Sequence, residues 1–341
     1  VSAAQAGSAA LDGRLLEVEG LVTRYPVPRS LLGTLRREKQ LQVHAVEGVD
    51  FSVGPGEMLA LVGESGCGKT TTAQTVMRMV DADAGRISFR GQDISRLTQK
   101  QLRPLRREMQ IIYQDPYESL DPRYRVRDTV AEPLLIHGIG ASVAERDALV
   151  VEALVQAGLQ PPELYIDRYP HELSGGQRQR VAIAAAMVLK PKLLLADEPV
   201  SMLDVSVRAG ILRLLDELRR EGLAIVMITH DLSTAAHFAD RIAVMYLGRI
   251  VEEGPAKDVV RNPLHPYTKA LISVVPKRDP RNSTVPQILT GETPNPVHIP
   301  PGCRFHPRCP IAEERCRSID PELRRPDSAT SPEHRAACIL A

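Results

Sequence analysis

Several short stretches carry side chains suited to handling phosphate groups. GESGCGKT (63–70) fits G-x-x-x-x-G-K-[ST], in which glycines let the backbone curl until its N–H groups converge on phosphate oxygens. Lys69 would bring a mobile positive charge to β- and γ-phosphates, and Thr70 a hydroxyl to Mg²⁺. The candidate cradle is Gly63, Glu64, Ser65, Gly66, Cys67, Gly68, Lys69, Thr70 and Thr71, with Cys67 contributing its backbone rather than a reactive thiol. The alternative is a chance glycine turn. LLLADEP supplies Asp197 and Glu198 at the end of an apolar run that reads as a buried strand. Adjacent residues of a strand point to opposite sides, so the two acids should play different roles, Asp197 as a partner of Mg²⁺ and Glu198 as the base that polarises a water. The alternative is a pair of solvated strand-end acids. VMITHD puts His230, and MQIIYQ puts Gln114, at the ends of two further apolar runs. His230 would reach the same phosphate, and the Gln114 amide either Mg²⁺ or the attacking water.

A second anion site is written into HELSGGQRQR (171–180). Ser174 suits a helix N-cap, and Gly175 and Gly176 fall where a helix start presents unpaired N–H groups. A different chemistry closes the sequence. Cys303, Cys309, Cys316 and Cys338 crowd its end with spacing C-x5-C-x6-C-x21-C, while Cys67 stands apart. Four thiolates can ligate a [4Fe–4S] cluster or a tetrahedral zinc, and free or loosely paired thiols are the third reading. The lack of a C-x-x-C pair disfavours a zinc ribbon. His306 and His334 lie nearby and read as packing residues rather than ligands.

The elements that must position these groups follow an α/β pattern. LLEVEGLVTRY (15–25) and HAVEGVDFSV (44–53) read as strands of an antiparallel edge, separated by a basic, proline-started insertion over 26–42. EMLALVG (57–63) is a buried strand entering the glycine loop, and KTTTAQTVMRMV continues as a helix. Helices are expected near 126–137, 143–158, 174–189 and 205–220, and a hairpin with Gly248 at its turn over 241–254. Residues 1–14 are rich in Ala, Ser and Gly and are expected to be mobile; after Pro255 the chain turns proline-rich and loses periodicity, as an appended segment would. Across 341 residues, 43 Lys and Arg oppose 42 Asp and Glu for a net charge of +1, so bulk attraction to nucleic acid or lipid is not expected. The longest apolar stretch, VAIAAAMVL (181–189), is less than half a membrane span, and no charged-then-apolar signal segment opens the sequence. Any work at a membrane would need spans from other chains.

Taken together, these pieces resemble the ATPase subunit of ATP-binding-cassette (ABC) transporters over residues 15–255. GESGCGKT resembles Walker A, YQDP the Q-loop, LSGGQ the signature, LLLADEP Walker B, SMLD the D-loop and ITHD the H-loop. The resemblance implies a P-loop NTPase fold: a RecA-like core, an antiparallel β subdomain and an inserted α-helical subdomain at about 116–178. It implies that two cassettes pack head to tail. Leu173, Ser174, Gly175, Gly176 and Gln177 of one would then act in trans on the ATP held by the other. Asp204 would lie across the seam, and Tyr25 is the candidate for stacking on adenine. This would explain why one chain carries two anion sites. The family commonly reads DEPTSALD where this chain has DEPVSMLD, which changes packing at Val200 and Met202 but keeps the acids.

The tail narrows the branch. NPLHPYTKAL (262–271) and PGCRFHPRCPIAEERC (301–316) resemble the C-terminal extension of oligopeptide/dipeptide importer ATPases, and YESLDPR (117–123) fits the same branch. The extension is expected over 256–341, and the family favours a [4Fe–4S] cluster on its four cysteines. The implied partners are a second ATPase, similar but not identical, two transmembrane permease subunits and an extracytoplasmic substrate-binding protein. The implied place is the cytoplasmic face of the membrane, peripherally bound. Cargo within the branch stays open among peptides, oligosaccharides and nickel. The readings from other classes are a soluble non-transport ABC ATPase and a P-loop kinase or GTPase, and LSGGQ has no use in the latter.

Overall fold

A computed structural model describes residues 13–29, 40–115, 120–275, 287, 289 and 291–341. Most of the opening segment expected to be mobile, most of the 26–42 insertion and the first part of YESLDPR lie outside the described residues.

Two sheets organise the chain. The first has the order β2-β1-β4-β5 and is antiparallel throughout, built from β1 (Leu16–Pro26), β2 (Gln42–Val53), β4 (Ala84–Phe89) and β5 (Gln92–Asp93). The second is the platform of the site. Its order is β11-β10-β9-β3-β8-β7-β6, from β3 (Met58–Val62), β6 (Met109–Ile112), β7 (Leu193–Asp197), β8 (Ala224–Thr229), β9 (Arg241–Tyr246), β10 (Arg249–Pro255) and β11 (Arg335–Ala336). Strands β9, β3, β8, β7 and β6 run parallel, and β10 and β11 form an antiparallel edge.

The uninterrupted apolar runs of β3, β7 and β8 follow from burial on both faces. Met58, Ala60 and Val62 join one core with Ile225 and Met227, while Leu59 and Leu61 face a second core with Val226 and Ile228. The second core is closed by the antiparallel sheet, through Leu16, Val18, Val46 and Ile87, and by helix α1 (Lys69–Val76). The first core is closed by helices and extends into the insert. There α3 (Val126–His137) and α4 (Val143–Gln156) pack on α5 (Gly175–Met187) through Val130, Leu134, Val150, Leu154 and Ile183. Each such fully buried aliphatic side chain contributes about 1.5–3 kcal/mol relative to exposure.

The hairpin turn falls at Leu247 and Gly248, both with positive φ. Helix α6 (Val205–Arg220) covers the expected span. Strands β4 and β5 and helix α2 (Gln99–Arg106) lie outside the expected elements, although the Thr98–Gln101 capping box that starts α2 is a local signal. Residues beyond Pro255 also depart from expectation. They form α8 (Ala256–Arg261) and α9 (Pro266–Ser273), and β11 returns to extend the main sheet. Among the described residues no helix is long and apolar enough to cross a membrane.

Candidate functional site

Parallel register brings the four strand ends into line: Val62 pairs with Thr229, Asp197 with Ile228, and Ala196 with Ile112. Gly63, His230 and Glu198 follow directly and Gln114 comes two residues after Ile112, so the chemistry-bearing groups gather at the carboxyl edge of the sheet, where open α/β folds bind ligands.

The loop after β3 is shaped by glycines that no other residue can replace cheaply. Gly68 has φ of 107°, and a Cβ there would lie 2.1 Å from the Ala45 carbonyl oxygen. A Cβ on Gly63 would lie 2.3 Å from the Met245 carbonyl oxygen. Beneath the loop Cys67 is buried, and burial pushes its thiol pKa up, as suits a packing role. Lys69, only 5% exposed, donates from Nζ to the carbonyls of Gly63 (2.8 Å) and Glu64 (2.9 Å). The carbonyls of its own loop thus hold the ammonium in place. Ser65, Gly66 and Thr70 are exposed at the rim, with Thr71 half-buried.

Asp197 ends β7 and is 3% exposed. Burial raises its pKa, the nearby Glu198 charge adds to that, and Thr70 and Lys69 oppose it. Its Oδ1 is buried with no protein hydrogen-bond partner. A buried carboxylate oxygen left bare, facing a hydroxyl and a lysine, fits a cation ligand. Glu198 diverges from Asp197 for a reason other than strand pleat: it leaves the strand with φ of 45°. Its Oε2 accepts from Gln114 Nε2 at 3.2 Å and lies 3.1 Å from His230 Nδ1. Gln114 and His230 are exposed, His230 with 60% of its side chain accessible. The structure therefore joins Gln114, Glu198 and His230 in one hydrogen-bonded set.

Tyr25 sits on β1 opposite Val43, half-buried, two residues of β2 short of the Ala45 carbonyl that meets Gly68. At 171–180 the helix start has the anticipated local form. Ser174 caps α5, accepting from Gln177 N at 3.3 Å, while Gln177 Oε1 accepts from Ser174 N at 2.9 Å. Gly176 lets the helix lie on α6, since a Cβ there would meet Val207 at 2.3 Å. Leu173 is buried, whereas Ser174 and Asp204, the N-cap of α6, are exposed.

Cys303, Cys309, Cys316 and Cys338 line one small cavity with His265, Phe305, His306, Ile339 and Leu340. All four are free thiols, and burial raises the Cys303 pKa to about 11 and those of Cys309 and Cys338 above the ordinary value. Among the described residues no three His, Cys, Asp or Glu side chains are arranged to hold a metal ion. His334 does pack, as expected: it is fully buried, with Nε2 2.8 Å from Glu252.

One set of contacts to the phosphate loop had not been foreseen. Arg308 donates to both Glu64 carboxylate oxygens, at 2.7 and 3.2 Å, and Thr293 Oγ1 donates to the first at 2.9 Å. The Glu64 N–H donates to Tyr267 Oη at 2.9 Å. Burial pushes the Glu64 pKa up, but Arg308, Thr293 and Lys69 outweigh it and leave it below the ordinary range. The available signal was Glu64 itself, an acid in a loop built for phosphate and in need of a counter-charge.

The chain matches the family model for ABC transporters over residues 46–201 and that for the C-terminal region of oligopeptide/dipeptide transporters over 251–316. It is 46% identical to the di/tripeptide transport ATP-binding protein DppF of Pseudomonas aeruginosa, over 96% of this chain and 99% of that one. It is 43% identical to the oligopeptide transport ATP-binding protein AppF of Bacillus subtilis, over 98% and 99%. Among solved structures it resembles a dimeric ATP-binding cassette in a post-hydrolysis state with ADP and Pi bound, with a TM-score of 0.62 and 28% identity over 71% of this chain and 99% of that one. Similarity of this degree over nearly the whole length, with both family models matched, shows that this chain belongs to the ABC transporter family, as an ATP-binding subunit with the oligopeptide/dipeptide-type C-terminal region.

Proposed function

We propose that this chain hydrolyses ATP to drive an importer of di- or oligopeptides. The observation that carries the proposal is the convergence of Gln114, Glu198 and His230 beside the Lys69 loop, in a chain so similar to peptide-transport ATP-binding proteins. Residues 15–255 would form the cassette, with 116–178 as the helical part that meets the permease, and 256–341 the extension.

In this reading the backbone N–H groups and Lys69 hold the β- and γ-phosphates. Lys69 exchanges the Gly63 and Glu64 carbonyls for phosphate oxygens, at little cost because both are acceptors for the same ammonium. Thr70, Asp197 and Gln114 would hold Mg²⁺, which when bound neutralises phosphate charge. Glu198, oriented by Gln114 and His230, takes a proton from water as its oxygen attacks the γ-phosphorus in line. The bond from the γ-phosphorus to the bridging oxygen breaks, leaving ADP and phosphate. His230 keeps the γ-phosphate in place, and Tyr25 stacks on adenine. Leu173, Ser174, Gly175, Gly176 and Gln177 of a second, similar subunit would close the site with the positive end of α5, and Asp204 would line the seam. Two permease subunits would carry the membrane spans and an extracytoplasmic binding protein the cargo, placing this chain at the cytoplasmic face. A [4Fe–4S] cluster would be held by Cys303, Cys309, Cys316 and Cys338, which line one cavity, although among the described residues no three such side chains are set to hold a metal ion. Such a cluster, when bound, would tie the extension together; an anaerobic preparation without broad blue-region absorbance would remove it.

The test is Glu198→Gln in the assembled transporter. Turnover should fall by about 10²–10⁴-fold with ATP binding retained and cassettes trapped as a pair. Near-normal hydrolysis would overturn the role of Glu198.

A further inference from the structure

The phosphate loop carries a carboxylate, that of Glu64. A triphosphate entering this loop meets the charge of Glu64, and Lys69, the cation meant for that triphosphate, is close enough to act on the same carboxylate. What separates them is the C-terminal region. Arg308 lies 244 residues beyond Glu64 and grips it with both terminal nitrogens. Its side chain is 8% exposed, against 29% for that of Glu64, so the pair is largely shielded from solvent.

The grip has further contacts around it. Arg308 also donates to Thr293 at 3.2 Å and lies over the Tyr246 ring, 6.0 Å from its centre. Tyr246 is the last residue of β9 and forms an aromatic cluster with Tyr267 and Phe305. Tyr267 in turn receives the Glu64 N–H. Glu64 is thus fixed at side chain and backbone by residues from beyond the last core strand pair.

We infer that Arg308 is a positioning residue of the nucleotide site: it holds the Glu64 carboxylate aside, so that Lys69 and the loop N–H groups face the triphosphate without a competing internal anion. The physical reason is like-charge exclusion. Without Arg308 the freed carboxylate either repels the phosphates or captures Lys69, and both outcomes weaken ATP binding more than they slow bond breaking. The inference rests on the reading of Gly63–Thr70 as the nucleotide loop.

The experiment measures Mg-ATP affinity of the full chain, with KM and kcat in the assembled transporter and melting temperature alongside. Arg308→Ala should weaken Mg-ATP binding about ten-fold, equivalent to about 1.4 kcal/mol, with KM rising and kcat little changed; Arg308→Lys should recover part of the loss. Adding Glu64→Ala to Arg308→Ala should return the affinity to within about two-fold of the parent, which a merely structural role of Arg308 would not allow. Should Arg308→Ala not fold, Arg308→Gln decides: with an unchanged melting temperature it should still weaken Mg-ATP binding about ten-fold, equivalent to about 1.4 kcal/mol. Unchanged affinity in Arg308→Ala or in a folded Arg308→Gln, or a double variant as weak as Arg308→Ala, overturns the inference. Lys69→Ala separates it from the underlying reading: if Lys69→Ala binds Mg-ATP normally the loop assignment fails, and if it loses binding while Arg308→Ala does not, only the role of Arg308 falls.

Discussion

Asp197 shows at one residue how the site trades stability for function. Its bare Oδ1 and its raised pKa, which burial dominates, both mean that the ionised carboxylate costs the nucleotide-free fold. Replacing it with a neutral isostere should relieve about 1 kcal/mol, so Asp197→Asn should raise the nucleotide-free melting temperature by about 2–4 °C while abolishing Mg²⁺-dependent hydrolysis. The pH dependence has a fixed sign. A group whose folded pKa is raised favours the fold in acid and loses that contribution as pH rises through the raised value. The melting difference between Asp197→Asn and the parent should therefore shrink as pH falls toward the ordinary carboxyl range; a difference that widens would contradict the assignment. Glycine exerts the opposite kind of control. Gly68→Ala demands an unfavourable φ and a 2.1 Å contact with the Ala45 carbonyl, so it should abolish Mg-ATP binding, measurable by calorimetry.

At the scale of elements, caps decide where the functional groups stand. Helix α7 (Leu232–Phe238) begins immediately after His230, and Asp231 caps it by accepting from Ser233 N and Thr234 N, at 2.9 and 3.3 Å, and from Thr234 Oγ1 at 2.7 Å. That cap fixes the backbone from which His230 reaches Glu198. Burial raises the Asp231 pKa, but these hydrogen bonds outweigh it and leave it lowered. Its stabilisation is accordingly complete above the unfolded carboxyl value and lost as pH falls through the folded one. Asp231→Ala should cost about 1 kcal/mol at neutral pH, read by urea denaturation, with the penalty shrinking as pH falls through the lowered folded value. Turnover should drop as well, since His230 loses its anchor.

For the whole molecule, the C-terminal region is part of the ATPase core and not a pendant. Glu252 on β10 is fully buried and accepts from Leu264 N and His265 N, both at 2.8 Å, with His334 Nε2 at 2.8 Å. One side chain thereby joins the main sheet, the start of α9 and the strand that completes the sheet. Glu252→Ala leaves two buried N–H groups and a buried imidazole without their acceptor, and should destabilise the chain by about 3 kcal/mol or more. Urea denaturation that shows less than about 1 kcal/mol would mean that the region is only loosely attached.

The sequence by itself determined the nucleotide chemistry and most of the elements that carry it. Those signals are local: glycines at fixed offsets, Ser174 with Gln177 at a helix start, apolar runs long enough for a strand buried on both faces. Each is enforced by φ restrictions, capping or period, within a few residues of chain. Only the tertiary structure decided that Gln114 and His230 meet on the same Glu198 oxygen. It also decided that Glu198 turns away from Asp197 through a left-handed backbone, and that the proline-rich tail returns as β11 and as the Arg308 grip on Glu64. These features depend on contacts between residues tens to hundreds of positions apart. Their energy comes from burial and charge pairing, which leave no periodic trace in the local sequence.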